Sequence, residues 1–359
     1  MADHLVAEGT LTLPYGVLRT LHYGGGEVRL YRNLITQSPQ VGKRVSLLGR
    51  EGTLAAREAT LLREIRHDNV ADIYDVAEVT GSDNALAIIE MTMPYYERGS
   101  IFDALARGER FGSGQGRDIA LRALRGLSHL HDAHGILHRD IKTPNLFLTT
   151  DDKLVKVGDL GEAVHMDAAG GVAALLSVQF WAPPETFVGV PHTVRSDIYS
   201  MGMSLAEILS GPFPYDDYGV EVLAQRLEQG WTAVLPRDLA FQPHVSDALR
   251  RIVRKAIQRN PNARYPSASA MLNALARADF IDWQWPGIGD QSTQWLGRWH
   301  GHDYRVLGRT LRSGNWRVQT ERRYSSGWRR LGQFTADGPV LSIAAETVFR
   351  QIDRHLVRA

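Results

Sequence analysis

His138-Arg139-Asp140-Ile141-Lys142-Thr143-Pro144-Asn145 lies between an apolar run with helical spacing, Ile119–His131, and an apolar strand-like run, Leu146–Thr149. It sets a carboxylate, then an ammonium, then a carboxamide on one short loop. An alcohol attacking a phosphoryl group needs its proton accepted, the transferred charge balanced and a metal held; Asp140, Lys142 and Asn145 are residue types suited to these tasks. Downstream comes Val155-Lys156-Val157-Gly158-Asp159-Leu160-Gly161. One Asp before Leu-Gly is common in turns, but its combination with Asp140 and Asn145 is not.

Residue by residue, the loop resembles the catalytic loop of eukaryotic-type protein kinases. The resemblance implies ATP and Mg²⁺ as cofactors and a protein as substrate. It makes Asp140 the group that orients the alcohol and accepts its proton, and Lys142 the one that steadies the transferring group. Asn145 and Asp159 would hold the magnesium, which takes one or two protein oxygens beside nucleotide phosphates. Lys142, two residues after Asp140, favours Ser/Thr over Tyr substrates within the family. His138 becomes a backbone brace, Glu185 and Arg264 an ion pair, and Asp197 a partner of the loop backbone. The stretch Glu162–Phe180 corresponds to the activation segment, where Ser177 is the only hydroxyl; it matches the threonine that contacts the catalytic aspartate.

The N-terminal part matches less closely. Apolar alternation predicts strands over Gly16–Leu21, Glu27–Ile35 and Lys43–Leu48. The turn Gly24-Gly25-Gly26, followed by Glu27-Val28, resembles a kinase glycine-rich loop in which only Gly26 stands at a glycine position. On its own such a turn is a permissive hairpin. The family's Val-Ala-x-Lys pattern falls on Val45-Ser46-Leu47-Leu48, so that Leu48 replaces the phosphate-binding lysine; Arg29, Arg32 or Lys43 are the substitutes at hand. Glu58 occupies the place of the glutamate that pairs with that lysine. Glu90-Met91-Thr92-Met93 resembles the hinge whose backbone meets adenine. Nucleotide-binding positions are thus Gly24, Gly25, Gly26, Val28, Glu58 and Glu90.

Across the chain the net charge is +1, cysteine is absent, and no uninterrupted apolar stretch reaches the roughly 18 residues of a membrane span. Neither disulfides nor thiolate metal sites can form. A cytoplasmic protein without membrane association is expected. The kinase pattern stops near Ile281, and six of eight tryptophans follow, interleaved with arginines. Strands over Tyr304–Leu311, Trp316–Glu321 and Trp328–Phe334 and a helix capped by Ser342 make a β-β-β-α unit. The expected fold is α+β, a two-lobed protein-kinase-like fold followed by that small domain: small lobe 1–90, large lobe 91–280, linker 281–300 and C-terminal domain 301–359. A Ser/Thr protein kinase is the first functional reading. A pseudokinase acting as a nucleotide-binding scaffold is the second, on account of Leu48. A nucleic-acid-associated protein, binding through Arg298, Arg305, Arg309, Arg317, Arg322 and their tryptophans, is the third and less favoured.

Overall fold

The structure, a computed structural model, describes residues 14–23, 26–46, 60–61, 63–79, 88–149, 155–289 and 292–357. The chain divides into two compact units, 1–66 with 71–95, and 67–70 with 96–359. Gly24, Gly25, Leu48 and Glu58 lie outside the described residues.

The first unit is one antiparallel sheet. Its strands are β1 (Tyr15–Tyr23), β2 (Gly26–Asn33), β3 (Pro39–Ser46), β4 (Asp75–Glu78) and β5 (Ile88–Pro94), in the order β1-β2-β3-β5-β4. The turn between β2 and β3 is set by Asn33, whose Oδ1 accepts the N–H groups of Ile35 (2.9 Å) and Thr36 (3.0 Å). This is the local side-chain bond that makes asparagine a turn former. Leu30, Ile89 and Met91 are buried on one face, and Tyr31, Glu90 and Thr92 on the other.

The second unit holds short strands and most of the helices. In chain order these are α1 (Ile101–Ala106), α2 (Ser113–Ser128) running into a π turn (His129–Ala133), β6 (Ile136–Leu137), β7 (Leu146–Leu148), β8 (Val155–Val157), β9 (Val164–His165), β10 (Gly171–Val172) and β11 (His192–Thr193). There follow α3 (Val194–Ser210), α4 (Val220–Glu228), α5 (Asp247–Ala256) and α6 (Ala268–Ala276). Ser100 starts α1 with a capping box, accepting from Asp103 N (3.1 Å) while Asp103 Oδ2 accepts from Ser100 N (2.8 Å). Of the expected stripe Ile119, Leu121, Leu124, Leu127 and Leu130, all but the partly buried Leu121 are buried, and Ile119, Leu124 and Leu127 pack with Ile198, Leu205, Val253 and Met271 in the central core. Glu185 and Arg264 form a bidentate ion pair at 2.6 and 2.7 Å with both side chains buried.

Glu207 on α3 is a second buried carboxylate. It accepts Thr143 Oγ1 (2.8 Å), Trp181 Nε1 (3.1 Å) and the Tyr215 hydroxyl. Burial pushes its carboxyl up to about 7, against the pull of these donated bonds.

The C-terminal part is larger than the sequence suggests. Strands β12 (Asp282–Trp283), β13 (Gly287–Gly289), β14 (Ser292–Trp299), β15 (His302–Thr310), β16 (Trp316–Tyr324) and β17 (Gly327–Gly338) form a six-stranded sheet, and α7 (Leu341–His355) covers one face. Residues 282–283, 287–289 and 292–299 of the expected linker, 281–300, therefore belong to the sheet. The reason is burial: Trp283 and Trp295 are almost wholly enclosed and pack edge-on against Phe349 of α7. Val318 and Thr320 point inward while Arg317, Gln319 and Glu321 face out, the alternation of a sheet covered on one side. Ser342 is not the helix cap. The helix begins one residue earlier, with Leu341 packed on the domain core over Gly308, and Val340 stands at the cap with no side-chain bond.

This domain is joined to the large lobe by polar contacts. Asp282 Oδ1 accepts the N–H of Gly114 (2.6 Å) in the first turn of α2, where a carboxylate satisfies an orphan donor and meets the positive end of the helix dipole. A Cβ at Gly114 would run into that carboxylate, so the approach requires glycine. Arg250 on α5 makes two bonds to Glu346 on α7 (2.8 and 3.2 Å), and Asp353 Oδ2 accepts from Asp247 N (2.7 Å).

Two outcomes follow for stability. Asp282→Ala removes the cap and should cost about 1 kcal/mol, seen as a lower urea midpoint at unchanged slope. Glu207 is protonated more readily folded, at about 7, than at its ordinary 4.5, so its contribution is full below pH 4.5 and is lost as pH rises through 7. Glu207→Gln should flatten that decline by up to about 3 kcal/mol, read from the difference between the two proteins in urea unfolding across this window.

Candidate active site

The loop 138–145 is positioned by one carboxylate. Asp197, at the start of α3, is fully enclosed and accepts the N–H groups of His138 (2.8 Å) and Arg139 (2.8 Å). His131 Nε2 lies 2.8 Å from the same carboxylate and, facing an acceptor, carries the proton. Burial pushes the Asp197 carboxyl upward, but the bonds and charges of His131 and His138 together hold it below its ordinary value. Aiming two successive N–H groups at one carboxylate turns the backbone sharply, and Arg139 sits in the left-handed region at φ 64°. Such a conformation in a non-glycine residue persists only where its surroundings hold it.

Beyond this turn the three polar groups converge. Lys142 Nζ is 2.8 Å from Asp140 Oδ2. Asn145 Nδ2 donates to Asp140 O (2.8 Å) and Oδ2 (3.0 Å). Both side-chain contacts fall on Oδ2. Because the Asn145 amide nitrogen faces Asp140, its Oδ1 is the end available to a cation. Asp159 follows β8, exposed and left-handed at φ 58°. Its turn is tied to the loop twice, by Gly158 N donating to Asn145 O (3.0 Å) and by His138 Nε2 bonding Gly158 O (3.1 Å). Asp140, Lys142, Asn145 and Asp159 are thus brought to one place. An aspartate and an amide oxygen suit a magnesium ion that keeps most of its ligands as phosphate and water oxygens.

One neighbour of the loop, Gln179, was not singled out from the sequence. Lys142 Nζ donates to Gln179 Oε1 (3.4 Å), and Gln179 Nε2 donates to Ser177 Oγ (2.6 Å). Ser177, expected beside Asp140, thus reaches the loop through Gln179 and Lys142; the doubled proline, Pro183-Pro184, makes the register uncertain by one residue in the sequence. Arg139 is turned inward, its Nε bonding Glu162 O (2.7 Å) and its head 3.8 Å from the Glu162 carboxylate.

In the first unit, Gly26 pairs with Tyr23 across the β1–β2 turn, and Val28 lies opposite Leu21. Glu90 is a correction. It lies inside β5 between Arg44 of β3 and Ala77 of β4, so its backbone is enclosed by ladders and cannot meet a nucleotide base. Its carboxylate instead takes Arg44 Nε at 2.6 Å. The strand continues to Pro94 because Ile89 and Met91 are buried side chains of the sheet. Lys43 stands directly opposite Val28 on β2 and Met91 on β5. Directly paired residues share a face, so Lys43 projects from the Val28 face, while Arg44 and Arg29 project from the other. Arg29 is also held by Glu27 at 2.7 Å.

Comparison with known proteins agrees with this geometry. The protein kinase domain model matches residues 24–275, ending just before β12. Mouse serine/threonine-protein kinase Nek4 is 29% identical over 265 residues, covering 72% of this chain and 32% of that protein. The 3-phosphoinositide-dependent protein kinase 1 of Arabidopsis thaliana is 27% identical over 241 residues, 63% of this chain and 46% of its own. A probable serine/threonine-protein kinase PknB of Lactococcus lactis is 26% identical over 229 residues, 63% and 35%. The chain spans less than half the length of each of these relatives. With a family model matched over most of its length and a catalytic loop held as described, the chain belongs to the protein kinase family, of the eukaryotic Ser/Thr type.

Proposed function

We propose that the protein is an active Ser/Thr protein kinase that transfers the γ-phosphoryl group of ATP to a protein hydroxyl, with Lys43 as its phosphate-binding lysine. The observation that carries this reading is the Asp140–Lys142–Asn145 cluster, in which Lys142 and Asn145 both hold Asp140 Oδ2. Bound Mg-ATP supplies the transferable group and ADP as the leaving group. As the substrate oxygen bonds to phosphorus and the bond to ADP breaks, Asp140 accepts the hydroxyl proton and later releases it to solvent. Lys142 balances charge on the group in transit, held in place by Asp140 and Gln179. Asn145 and Asp159 would hold the magnesium, which would balance charge on the phosphates.

The pseudokinase reading rests on Leu48 and on the thin glycine loop, and with Lys43 as the lysine it keeps only the second ground. β3 as described ends at Ser46, before Leu48. Lys43 shares its face with Val28, the residue next to the glycine turn, and with Val41, Val45 and Met91, an apolar surface suited to cover a nucleotide base. Against the nucleic-acid reading, Arg305, Arg317 and Arg298 are engaged by Glu321, Asp337 and Asp303. Trp328 carries the Arg305 guanidinium 4.5 Å from its ring centre and Arg323 at 5.8 Å, where a base would stack.

The test is phosphate incorporation into a generic Ser/Thr substrate, followed by mass spectrometry. Asp140→Asn should abolish transfer. Lys43→Met should lower it by about 10²–10³-fold, the effect of losing one preorganised charge donor, while Leu48→Met changes little. Transfer unchanged in Asp140→Asn would sink the kinase reading; loss at Leu48 with Lys43→Met unaffected would sink the assignment of Lys43. Absence of transfer in the wild type, with ATP still raising its melting temperature, would leave a nucleotide-binding pseudokinase.

A further inference from the structure

We propose that the groove between the large lobe and the C-terminal domain is a docking site for an acidic linear segment of a partner protein bearing a large apolar side chain. The groove has a volume of about 970 Å³ and is lined on one side by the stretch 236–243 and α5, on the other by α7. That is the upper end of the roughly 300–1,000 Å³ typical of ligand sites, which occur preferentially at domain interfaces.

Its surface combines an uncovered apolar strip with an excess of positive charge. Ile343 on α7 is 53% exposed within the groove, and Phe241 is half-buried opposite. The Phe241 ring has the guanidinium groups of Arg250 and Arg254 at 5.9 and 6.0 Å from its centre. Arg250, Arg254 and Arg350 line the groove against a single carboxylate, Glu346. That carboxylate is already engaged by Arg250 (2.8 Å) and by Arg350 one turn along α7 (3.1 Å). Burial pushes Glu346 upward, but these two arginines hold it below its ordinary value, so it stays ionised and committed to them. Among the described residues no carboxylate lies within bridging distance of Arg254 on the lobe wall.

The complementary occupant therefore presents carboxylates to Arg254 and Arg350 and a leucine- or phenylalanine-like side chain to Ile343 and Phe241. An extended chain suits a groove whose walls are separate segments, 236–243 with α5 on one side and α7 on the other. Its walls are also clamped together, by the Arg250–Glu346 pair and the bond from Asp247 N to Asp353. A site that needs no ordering of its own walls binds at lower entropic cost. Neither wall suffices alone, which gives the appended domain a role in choosing what the kinase binds. The inference does not depend on catalysis.

The experiment is fluorescence anisotropy on the full chain, using a labelled synthetic peptide of alternating glutamates and leucines with a central phenylalanine, beside the same peptide with lysines in place of glutamates. Saturable binding of the acidic peptide alone, weakening with salt and by about tenfold or more in Arg254→Glu/Arg350→Glu and in Ile343→Asp, is expected. These side chains are exposed, and unchanged thermal melting would confirm that the variants fold. Absence of saturable binding, or equal binding by the variants, would overturn the proposal. So would decanoate or a single-stranded RNA occupying the same residues as tightly as the peptide, since the groove would then serve another class of ligand.

Discussion

A single enclosed carboxylate governs the catalytic loop. Asp197 receives two successive backbone N–H groups and a histidine, and each would otherwise be a buried donor without a partner. Leaving such a group unpaired costs about 1–3 kcal/mol, so the three bonds impose one backbone path on the loop. The left-handed turn at Arg139 is the local strain of that path, and the direction of Asp140 is its result. The same geometry reaches Asp159, because His138, whose N–H Asp197 holds, bonds the carbonyl just before it. The placement of Asp140, Asn145 and Asp159, the proposed proton acceptor and metal ligands, is therefore set by contacts from a helix distant in sequence.

The large lobe and the C-terminal domain are built on the same physical device, a carboxylate offered to groups that need one. Asp282 supplies an acceptor to the first turn of α2, Glu346 to Arg250, and Asp353 to the first residue of α5. His244, buried against Trp285 and Phe349, sits in the apolar part of this interface. Burial, with the nearby Arg250 charge, pushes its imidazole down to about 4, so it stays neutral there near neutral pH. The sheet is thus continuous with the kinase body rather than strung from it, and the groove on the other side of the Arg250–Glu346 pair is a product of that union.

In the sheet of the first unit, alternation decides chemistry. Neighbouring cations Lys43 and Arg44 project from opposite faces of β3. One joins Val28 and Met91, and the other is neutralised by Glu90. A shift of one residue in register would exchange their roles.

Much of this was legible in the sequence because it is local. The catalytic loop is contiguous, its polar groups are recognisable by spacing, and the helical and strand periodicities around it record which faces are buried. Glu185, Asp197 and Arg264 were readable through their resemblance to a known pattern. What the sequence left open depends on partners far along the chain. Val45-Ser46-Leu47-Leu48 reads as the family's motif, while strand pairing sets Lys43 opposite Val28, a relation that no local pattern shows. Glu90 reads as hinge until the ladders on both sides of β5 enclose it. Residues 282–299 read as linker because their tryptophans have no visible partner until α7 folds over them. Periodicity determined the elements, and the contiguous loop with its family resemblance the polar groups of the site; only the tertiary structure decided register, enclosure and the groove, since each is a relation between segments that no local pattern encodes.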